Sequence, residues 1–321
     1  MTDELRVSDL SEEQLLARIF PHLPHGTGTL VPPGDDAAVV AAPDGRVVVT
    51  TDVLVEDRHF RRAWSTGEDV GWRAAVQNLA DVAAMGARPT SLVVALAVPA
   101  DLPVAWVEGL ARGLGAVCAP LGVGVVGGDL SGGPVVVVAV AAHGDLEGRA
   151  PLLRSGARPG DVVAHAGRCG WSAAGLALLD ARRPDADPDA VSAYLRPTSP
   201  LGAGPAAALA GARSMLDVSD GLLRDAGRLA RASGVQVDLD DPVEAFSADL
   251  GGLATAAAAV GADPVAWVLG GGEDHGLLAT FPAGTVLPAP FRAVGVVREG
   301  AGVLVAGRTP AVAPGWDHFG G

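Results

Sequence analysis

The chain has 321 residues, of which 49% are hydrophobic and only 4% aromatic, and it carries a formal net charge of -14. This length predicts two domains of ordinary size, each large enough to bury a core of its own. The acidic charge and the lack of a basic run argue against nucleic-acid binding, because a phosphate backbone would be repelled. All 23 basic residues are arginine, which excludes a Schiff-base lysine, a Walker-A lysine and the strand lysine of protein kinases.

The apolar segments of the sequence predict strands rather than membrane spans. The longest, such as 91–100 and 134–142, fall well short of the roughly 20 residues of a transmembrane helix. The first residues are polar and acidic, unlike a secretory signal. We therefore expect a cytoplasmic protein that does not enter a membrane. The two cysteines, Cys118 and Cys169, are too widely spaced to indicate a disulfide framework or a structural zinc site.

The first half of the chain predicts strands interspersed with helices. Ser11 is a typical N-cap for a polar helix over 11–20. The turn sequence at 43–45 predicts a β-hairpin that pairs strands 37–41 and 47–51. Gly86 is the expected C-cap of a later helix. The further elements predicted are a helix over 67–85, a strand over 91–98, a helix over 104–121, and strands over 123–126 and 135–142.

Arginine, glycine and proline become frequent over 146–160, which is typical of a domain boundary. We therefore expect two domains, 1–149 and 150–321. The order of strands and helices indicates the α/β (or α+β) fold class, with helices packed on a sheet. The elements predicted for the second half are a strand over 161–165, a glycine-rich turn and helix over 167–179, a helix over 220–233 ended by Gly234, and a strand over 235–239.

Several carboxylates of the first half are candidate metal ligands, and each also has a simpler interpretation. Gly34-Asp35-Asp36 places hard oxygen ligands beside a glycine, but it also fits an Asx turn. Asp52 follows a Val-rich strand, where a solvated residue is the commoner case. Asn78 and Asp81 lie three residues apart on one helix face. An aspartate among small apolar residues is costly to bury unless it is paired or bound to metal, so Asp81 favours a functional role.

The glycine-rich segment around Asp129 has two interpretations. Gly122, Gly124 and Gly127 match the spacing of a dinucleotide fingerprint, but another strand follows instead of a helix. We therefore reject a Rossmann site. The segment predicts either a loop that brings Asp129 to a metal or an ordinary β-turn.

The second half offers two more candidate segments. Asp217-Val218-Ser219-Asp220-Gly221 precedes an amphipathic helix, so its acids either cap that helix or hold phosphate and magnesium at its N-terminus. Gly270-Gly271-Gly272-Glu273-Asp274 suggests close approach of a ligand to the backbone. Arg154 is either a phosphate clamp or a solvated arginine. His59 and Trp316 are either ligand contacts or structural residues.

Taken together and in order, these segments resemble the thiamine-monophosphate kinase family, whose superfamily also holds aminoimidazole ribonucleotide synthetase and selenophosphate synthetase. The similarity covers most of the chain, and the whole series is more specific than any one motif. The segments that carry it are Gly34-Asp35-Asp36-Ala37-Ala38-Val39, Thr51-Asp52-Val53-Leu54-Val55, His59-Phe60, 78–89, Gly127-Gly128-Asp129, Arg154-Ser155-Gly156-Ala157-x-Pro159-Gly160-Asp161, Ser172-Ala173-Ala174-Gly175-Leu176, Asp217-x-Ser219-Asp220-Gly221, Gly271-Gly272-Glu273-Asp274 and Trp316-Asp317-His318-Phe319.

This resemblance implies that ATP donates its γ-phosphate directly to thiamine monophosphate, with several Mg²⁺ ions present, giving thiamine diphosphate and ADP in the last step of thiamine diphosphate biosynthesis. It implies an N-terminal α/β domain that forms a homodimer, a C-terminal α/β domain, and an active site in the cleft between them. It also implies ATP contacts at Gly128, Asp129, Arg154 and Ser219, and substrate contacts at His59, Glu273 and Trp316. The metal ligands it implies are Asp36, Thr50, Thr51, Asp52, Asp81, Asp129, Asp217 and Asp220.

The chain departs from the family pattern at four positions. Asp57 stands where relatives often have glycine, His275 and Gly276 where they often have Tyr-Glu, and Trp171 where an acid is common. Two alternatives remain: another ATP-using synthetase of the superfamily, such as one acting on a formylglycinamidine ribonucleotide, or a non-catalytic nucleotide-binding dimer. The aromatic Trp316 together with Glu273 favours a thiamine substrate, and no expected ligand is lost.

Overall fold

The computed structural model describes residues 5–32, 37–312 and 315. The chain divides into two compact units, which are treated separately below. The first unit comprises Met1–Val82 and Pro89–Glu147, and the second comprises Ala83–Arg88 and Gly148–Gly321. The short segment Ala83–Arg88 belongs to the second unit because it packs there: the backbone N–H of Leu152 donates to the carbonyl oxygen of Met85, and the side chain of Leu152 lies beside Gly86.

The first unit is built around a four-stranded sheet with the strand order β3-β6-β4-β5. β3 and β6 are antiparallel over their full length, whereas β4 and β5 are parallel. A separate two-stranded sheet joins β1 and β2. The elements are α1 (Glu12–Ile19), β1 (Thr29–Val31), β2 (Val39–Val40), β3 (Val48–Val55), α2 (Gly67–Ala84), β4 (Arg88–Val98), α3 (Val104–Cys118), β5 (Gly124–Gly132) and β6 (Val137–Asp145).

The helices α2 and α3 pack closely through glycines. A Cβ atom at Gly71 of α2 would lie 2.0 Å from the carbonyl oxygen of Leu110 in α3. One at Gly113 of α3 would lie 2.1 Å from the carbonyl oxygen of Glu68 in α2. Only glycine allows two backbones to approach so closely. This contact fixes the position of α2, the helix that carries Asn78 and Asp81.

Two sequence-based predictions about this unit are wrong. Strands 37–41 and 47–51 do not form a hairpin, because β2 pairs with β1 whereas β3 pairs along its whole length with β6. An eight-residue ladder satisfies far more backbone groups than the two residues of β2 could. The segment 127–132 is not a loop or turn but part of β5, paired with β4 after a register shift between Leu92 and Val93.

Among the described residues, Val104–Leu121 is long and apolar enough to cross a membrane by length and composition. This differs from the sequence-based expectation that no apolar segment approaches that length. The segment contains α3, and its side chains Val107, Leu110 and Leu114 are buried within the first unit. This burial is typical of a helix in the core of a domain.

The second unit contains a six-stranded sheet with the order β12-β9-β11-β7-β10-β8. Side chains alternate between its two faces, as the period of a strand requires. Val163, Leu216 and Leu278 join a core with the helices α4, α7, α9 and α10. Their neighbours Ala164 and Leu277 join a second core on the other face, where α6 packs. The sheet is therefore covered on both faces.

The bounds of the second unit's elements complete the fold. Gly234, with φ of +67°, ends α7 as predicted. Both units combine helices with a sheet, which confirms the predicted fold class. The elements are β7 (Val162–Ala166), α4 (Trp171–Asp180), α5 (Pro188–Leu195), α6 (Ala203–Leu209), β8 (Ser214–Val218), α7 (Leu222–Ser233), β9 (Gln236–Leu239), α8 (Pro242–Ala245), α9 (Ser247–Val260), α10 (Pro264–Gly270), β10 (Gly276–Phe281), β11 (Arg292–Arg298) and β12 (Gly302–Val305).

Candidate active site

In the first unit, β3 and α2 bring four polar residues together. The hydroxyl of Thr50 donates a hydrogen bond to Oδ2 of Asp81 at 2.8 Å. The backbone N–H of Asp52 donates to Oδ1 of Asn78 at 3.0 Å. Asn78 is fully buried, and its Nδ2 donates to the carbonyl oxygen of Ala74. Asn78 therefore fixes the backbone at Asp52 while Thr50 orients the carboxylate of Asp81.

The side chain of Thr51 points to the opposite face of the sheet. Successive residues of a strand alternate between faces, and the hydroxyl of Thr51 donates to the carbonyl oxygen of Val140 in β6 at 2.8 Å. The structure thus places Thr50 and Asp52 on the side of Asp81 but not the Thr51 hydroxyl. Only the backbone carbonyl of Thr51 is left as a ligand atom.

His59 follows β3 in a turn that fixes the state of its ring. Its Nδ1 lies 3.0 Å from the backbone N–H of Val55 and accepts a hydrogen bond from it. In the neutral ring the proton is therefore on Nε2. The carbonyl oxygen of His59 accepts from Nη1 of Arg73 in α2 at 2.8 Å. The first contact orients the imidazole, and the second fixes the backbone at His59.

Gly128 and Asp129 lie on β5, at the edge of the first unit's sheet. A Cβ atom at Gly128 would lie 2.0 Å from the carbonyl oxygen of Val94, so only glycine fits the pairing with β4. The side chain of Asp129 is exposed. A cavity of about 360 Å³ opens beside them and is otherwise largely aliphatic. Its lining includes Leu16, Phe20, Leu110, Leu114, Gly128 and Asp129.

In the second unit, Asp217 lies in β8, and Ser219 and Asp220 lie in the turn between β8 and α7. A buried acid, Asp225, holds this turn: its Oδ2 accepts the backbone N–H groups of Ser219 (3.1 Å) and Asp220 (3.0 Å). Arg228 bridges two carboxylates, with Nη1 2.6 Å from Oδ1 of Asp225 and Nη2 2.5 Å from Oδ2 of Asp220. The turn is therefore held by two acids, Asp225 and Asp220, and one arginine.

The segment Glu273–His275 packs against this turn. The backbone N–H of Glu273 donates to the carbonyl oxygen of Ser219 at 2.7 Å, and that of His275 donates to the carbonyl oxygen of Val218 at 3.0 Å. Nδ1 of His275 lies 3.7 Å from Oδ2 of Asp217. The structure thus brings Asp217, Ser219, Asp220 and Glu273 into one cluster.

Burial raises the pKa of two acids beside this cluster, Asp225 and Asp274. The pKa of Asp225 is raised to about 6, chiefly by burial and also by the neighbouring charge of Asp217, while Arg228 opposes the shift. Burial also raises the pKa of Asp274 to about 6, against hydrogen bonds from the backbone of Ser172 and Gly170. Perturbed carboxylates of this kind concentrate at functional sites.

Seven of the implied site residues are not placed in these two clusters: Asp36, Thr51, His59, Gly128, Asp129, Arg154 and Trp316. Asp36 and Trp316 lie outside the described residues. Arg154 is exposed in the second unit, and its backbone carbonyl accepts a hydrogen bond from Ser233. The roles of all the implied site residues stay predictions.

Sequence reasoning missed Asp225 and Arg228. A signal for both was present, because an acid and an arginine three residues apart share one face of the helix that follows the Asp217–Asp220 turn. What could not be read locally is that Asp225 turns back to bond the backbone of Ser219 and Asp220.

Local conformation and contacts account for three of the four departures from the family pattern, those at Asp57, Trp171 and Gly276. Asp57 has φ of +63°, a conformation that glycine favours and that aspartate tolerates better than most residues. A Cβ atom at Gly276 would lie 2.7 Å from Nε2 of His165, so the glycine leaves room for that ring. Trp171 donates from Nε1 to Oδ1 of Asp249 at 3.0 Å. His275 lies beside Asp217, as described above.

The donor atoms fit magnesium in chemistry. Within 5–32, 37–312 and 315, no three His, Cys, Asp or Glu side chains form a group that could hold a metal by themselves. Protein-bound Mg²⁺ commonly uses one or two carboxylates and completes its octahedron with water and substrate phosphates. The pairs Thr50 with Asp81 and Asp217 with Asp220 supply such oxygens. Such pairs suit Mg²⁺ ions whose remaining ligands are water and nucleotide phosphates.

The α/β fold of the first unit, with acids on β3, α2 and β5, is that of a class of proteins related to aminoimidazole ribonucleotide (AIR) synthase. The family model for "AIR synthase related protein, N-terminal domain" matches residues 34–146. The fold of a hydrogenase maturation protein, HypE of E. coli, is similar with a TM-score of 0.70 at 17% identity, covering 95% of this chain and 98% of that one. At that identity the likeness concerns the fold alone.

More similar relatives identify the family. The thiamine-monophosphate kinase of Mycobacterium tuberculosis (strain CDC 1551 / Oshkosh) is 47% identical over 328 residues, covering 99% of this chain and 95% of that protein. That of Corynebacterium glutamicum is 44% identical, covering 89% and 88%. A structure of AaThiL complexed with AMPPCP and TMP has a TM-score of 0.79 at 33% identity, covering 99% and 100%. The chain belongs to the thiamine-monophosphate kinase family.

Proposed function

We propose that this chain transfers the γ-phosphoryl group of ATP to the phosphate of thiamine monophosphate, giving thiamine diphosphate and ADP. The observation that carries the proposal is 47% identity over nearly the whole length of a thiamine-monophosphate kinase. The complex of the related AaThiL with AMPPCP and TMP supports the same pair of substrates. In this proposal the active site is formed by the sequence segments that resemble the family.

The proposed reaction is a direct in-line transfer. An oxygen of the thiamine monophosphate phosphate attacks the γ-phosphorus of ATP, and the bond from that phosphorus to the β–γ bridging oxygen breaks as ADP leaves. Such a transfer depends on positioning and on neutralising charge more than on a nucleophilic side chain. A chain without lysine can perform it, because its acids and arginines supply the binding groups.

We infer that several Mg²⁺ ions take part. The residues that would hold them in the first unit are Asp36, Thr50, Asp52, Asp81 and Asp129, with the carbonyl of Thr51, and in the second unit Asp217 and Asp220. Bound Mg²⁺ neutralises the charge of the nucleotide phosphates and of the transferring group. Thr50 keeps the carboxylate of Asp81 turned toward β3, and Asp225 keeps the backbone of Ser219 and Asp220 in place.

We place the substrates by the chemistry of the side chains that the resemblance implies. His59 presents its Nε2–H, a single donor suited to a phosphate oxygen of thiamine monophosphate. Glu273 presents a carboxylate to the cationic thiamine, and Trp316 stacks on one of its rings. Gly128, Asp129, Arg154 and Ser219 serve ATP. The aliphatic cavity beside Gly128 has the size and lining for an adenine ring.

We further propose that the chain forms a homodimer through the first unit. β3 is an edge strand of its sheet, and its side chains Val49 and Val53 are 63% and 44% exposed, beside Val47 at 55%. A row of exposed valines on a sheet edge is a surface that pairing with another chain would bury. Val49→Lys should give a monomer in analytical ultracentrifugation. Val286→Lys, at an 89% exposed valine of the second unit, is the matched control and should leave the dimer unchanged.

The proposed activity is tested with purified protein, ATP, MgCl₂ and thiamine monophosphate, following thiamine diphosphate and ADP by chromatography. We expect equal amounts of both products, none with excess EDTA, and none when thiamine replaces its monophosphate. Binding of ATP without formation of thiamine diphosphate would overturn the proposal. ADP formed only with a formylglycinamidine ribonucleotide would favour the synthetase alternative.

A further inference from the structure

Asp274 lies between two residues with an uncommon backbone conformation. Glu273 has φ of +68° and His275 has φ of +51°. Side-chain-bearing residues rarely adopt positive φ, and when they do so at a functional site the surrounding structure holds them there. The question is which contacts hold this segment.

Backbone hydrogen bonds account for one side of the segment. Glu273 and His275 donate to the carbonyl oxygens of Ser219 and Val218, as described above. A Cβ atom at Gly272 would lie 2.5 Å from the carbonyl oxygen of Ser219. The segment therefore lies directly on the Asp217–Asp220 turn, and a small displacement would move Glu273 away from it.

The carboxylate of Asp274 holds the opposite side of the segment Glu273–His275. Its Oδ2 accepts the backbone N–H of Gly170 at 2.5 Å, and its Oδ1 accepts that of Ser172 at 2.8 Å. The residue is only 5% exposed. These two donors begin α4, so one side chain ties the start of that helix to the Glu273 segment, more than a hundred residues away along the chain. Both oxygens are used, and no neutral side chain of this shape accepts at two atoms.

We propose that Asp274 is a positioning residue that fixes Glu273 for contact with thiamine monophosphate by tying its segment to the start of α4. The inference rests on the proposed function, since it takes Glu273 as a substrate contact. Asp274 itself is buried behind the segment and acts only through its neighbour.

Asp274→Asn tests this role, because asparagine accepts at one atom and would turn an amide donor toward the second N–H group. We expect the KM for thiamine monophosphate to rise about tenfold while the KM for ATP changes less than about twofold. Asp187→Asn is the matched control. Asp187 is also a buried carboxylate that accepts a backbone N–H at a helix start, that of Ala190 in α5, so its variant should lower the melting temperature without changing either KM.

Two further variants keep the test independent of folding defects. Ser172→Pro removes one donor from the other side of the contact, and proline is tolerated in the first turn of a helix, so it should raise the same KM. Glu273→Gln combined with Asp274→Asn should be no worse than Glu273→Gln alone, because a residue that acts through Glu273 loses its effect with it.

The outcomes separate the two proposals. A wild-type enzyme that neither binds nor phosphorylates thiamine monophosphate would overturn the proposed function and this inference with it. An active wild type whose Asp274→Asn and Ser172→Pro variants keep the wild-type KM would overturn the inference alone. Fully additive effects in the double variant would do the same.

Discussion

Thr50 on β3 and Asp81 on α2 are 31 residues apart in the chain, yet the threonine hydroxyl lies 2.8 Å from Oδ2 of the aspartate. Thr51, the next residue, directs its hydroxyl to Val140 on the other face of the sheet. The two threonines implied as metal ligands are thus in different environments, and they can be distinguished by mutation.

Thr50→Val should raise the Mg²⁺ concentration for half-maximal activity about tenfold, the usual cost of losing a residue that orients a metal ligand. Thr51→Val should raise it much less, because only the Thr51 carbonyl is available. Magnesium titrations of both variants check this. Equal effects of the two substitutions would contradict the conclusion that the hydroxyl of Thr50, and not that of Thr51, acts at the metal site.

Asp81→Asn and Asp129→Asn should each lower kcat by about 100-fold or more, since lost charge at a phosphoryl-transfer site acts directly on the transition state. Steady-state kinetics measure this, with circular dichroism to verify the fold. Asp101→Asn, at an exposed acid of the same unit, is the control. Near-normal turnover in both variants would refute the metal assignment.

Gly71→Ala should destabilise the protein by about 2 kcal/mol, because the new methyl group meets the carbonyl oxygen of Leu110 and separates α2 from α3. Gly251→Ala is the matched control in α9, where nothing lies within 4 Å of the added atom. It should stabilise by about 0.5–1 kcal/mol through the reduced entropy of the unfolded chain. Chemical denaturation of both variants measures the difference, and similar losses would disprove the close-packing argument.

Asp57→Gly should change stability by less than about 0.5 kcal/mol, because relief of the positive φ offsets the greater freedom of the unfolded chain. Asp57→Val should cost about 1–2 kcal/mol, since a branched side chain fits that conformation poorly. Thermal denaturation distinguishes them. A valine variant as stable as the wild type would show that the positive φ does not determine which residues are tolerated at position 57.

The burial of His165 leads us to expect that the folded protein loses stability in acid. His165 is fully buried, no hydrogen-bond partner of its ring nitrogens is found among the described residues, and burial, aided by the charge of Arg292, lowers its pKa to about 3. The unfolded chain therefore binds a proton that the folded chain does not between pH 6.5 and about 3. Stability from this group is complete above pH 6.5 and falls by up to about 1.4 kcal/mol per pH unit below it.

His165→Leu should remove this dependence of stability on pH. It should also raise the free energy of unfolding at pH 7 by about 1 kcal/mol, because two buried polar atoms are no longer unsatisfied. Urea denaturation of wild type and variant at several pH values between 7 and 4 measures it. An unchanged slope with pH would show that another group causes the acid sensitivity.

Much of this protein could be predicted from local sequence. The capping residues Ser11 and Gly234, the length of most helices, and the order of the acidic motifs depend on neighbours within a few residues. The resemblance carried by those motifs predicted a family that the comparisons confirm. The errors concern pairing: the sequence does not show that β3 prefers β6 to β2, or that Gly127–Asp129 continues a strand beside β4.

The sequence by itself determined which residues are able to bind magnesium and phosphate, because the chemistry of a carboxylate, a hydroxyl or a glycine turn is a local property. Only the tertiary structure decided which of them act together. Thr50 meets Asp81, Thr51 turns away, and Asp225 and Asp274 hold segments that are distant along the chain. Such contacts depend on how sheets pair and helices pack over the whole unit, and no short window of sequence contains that information.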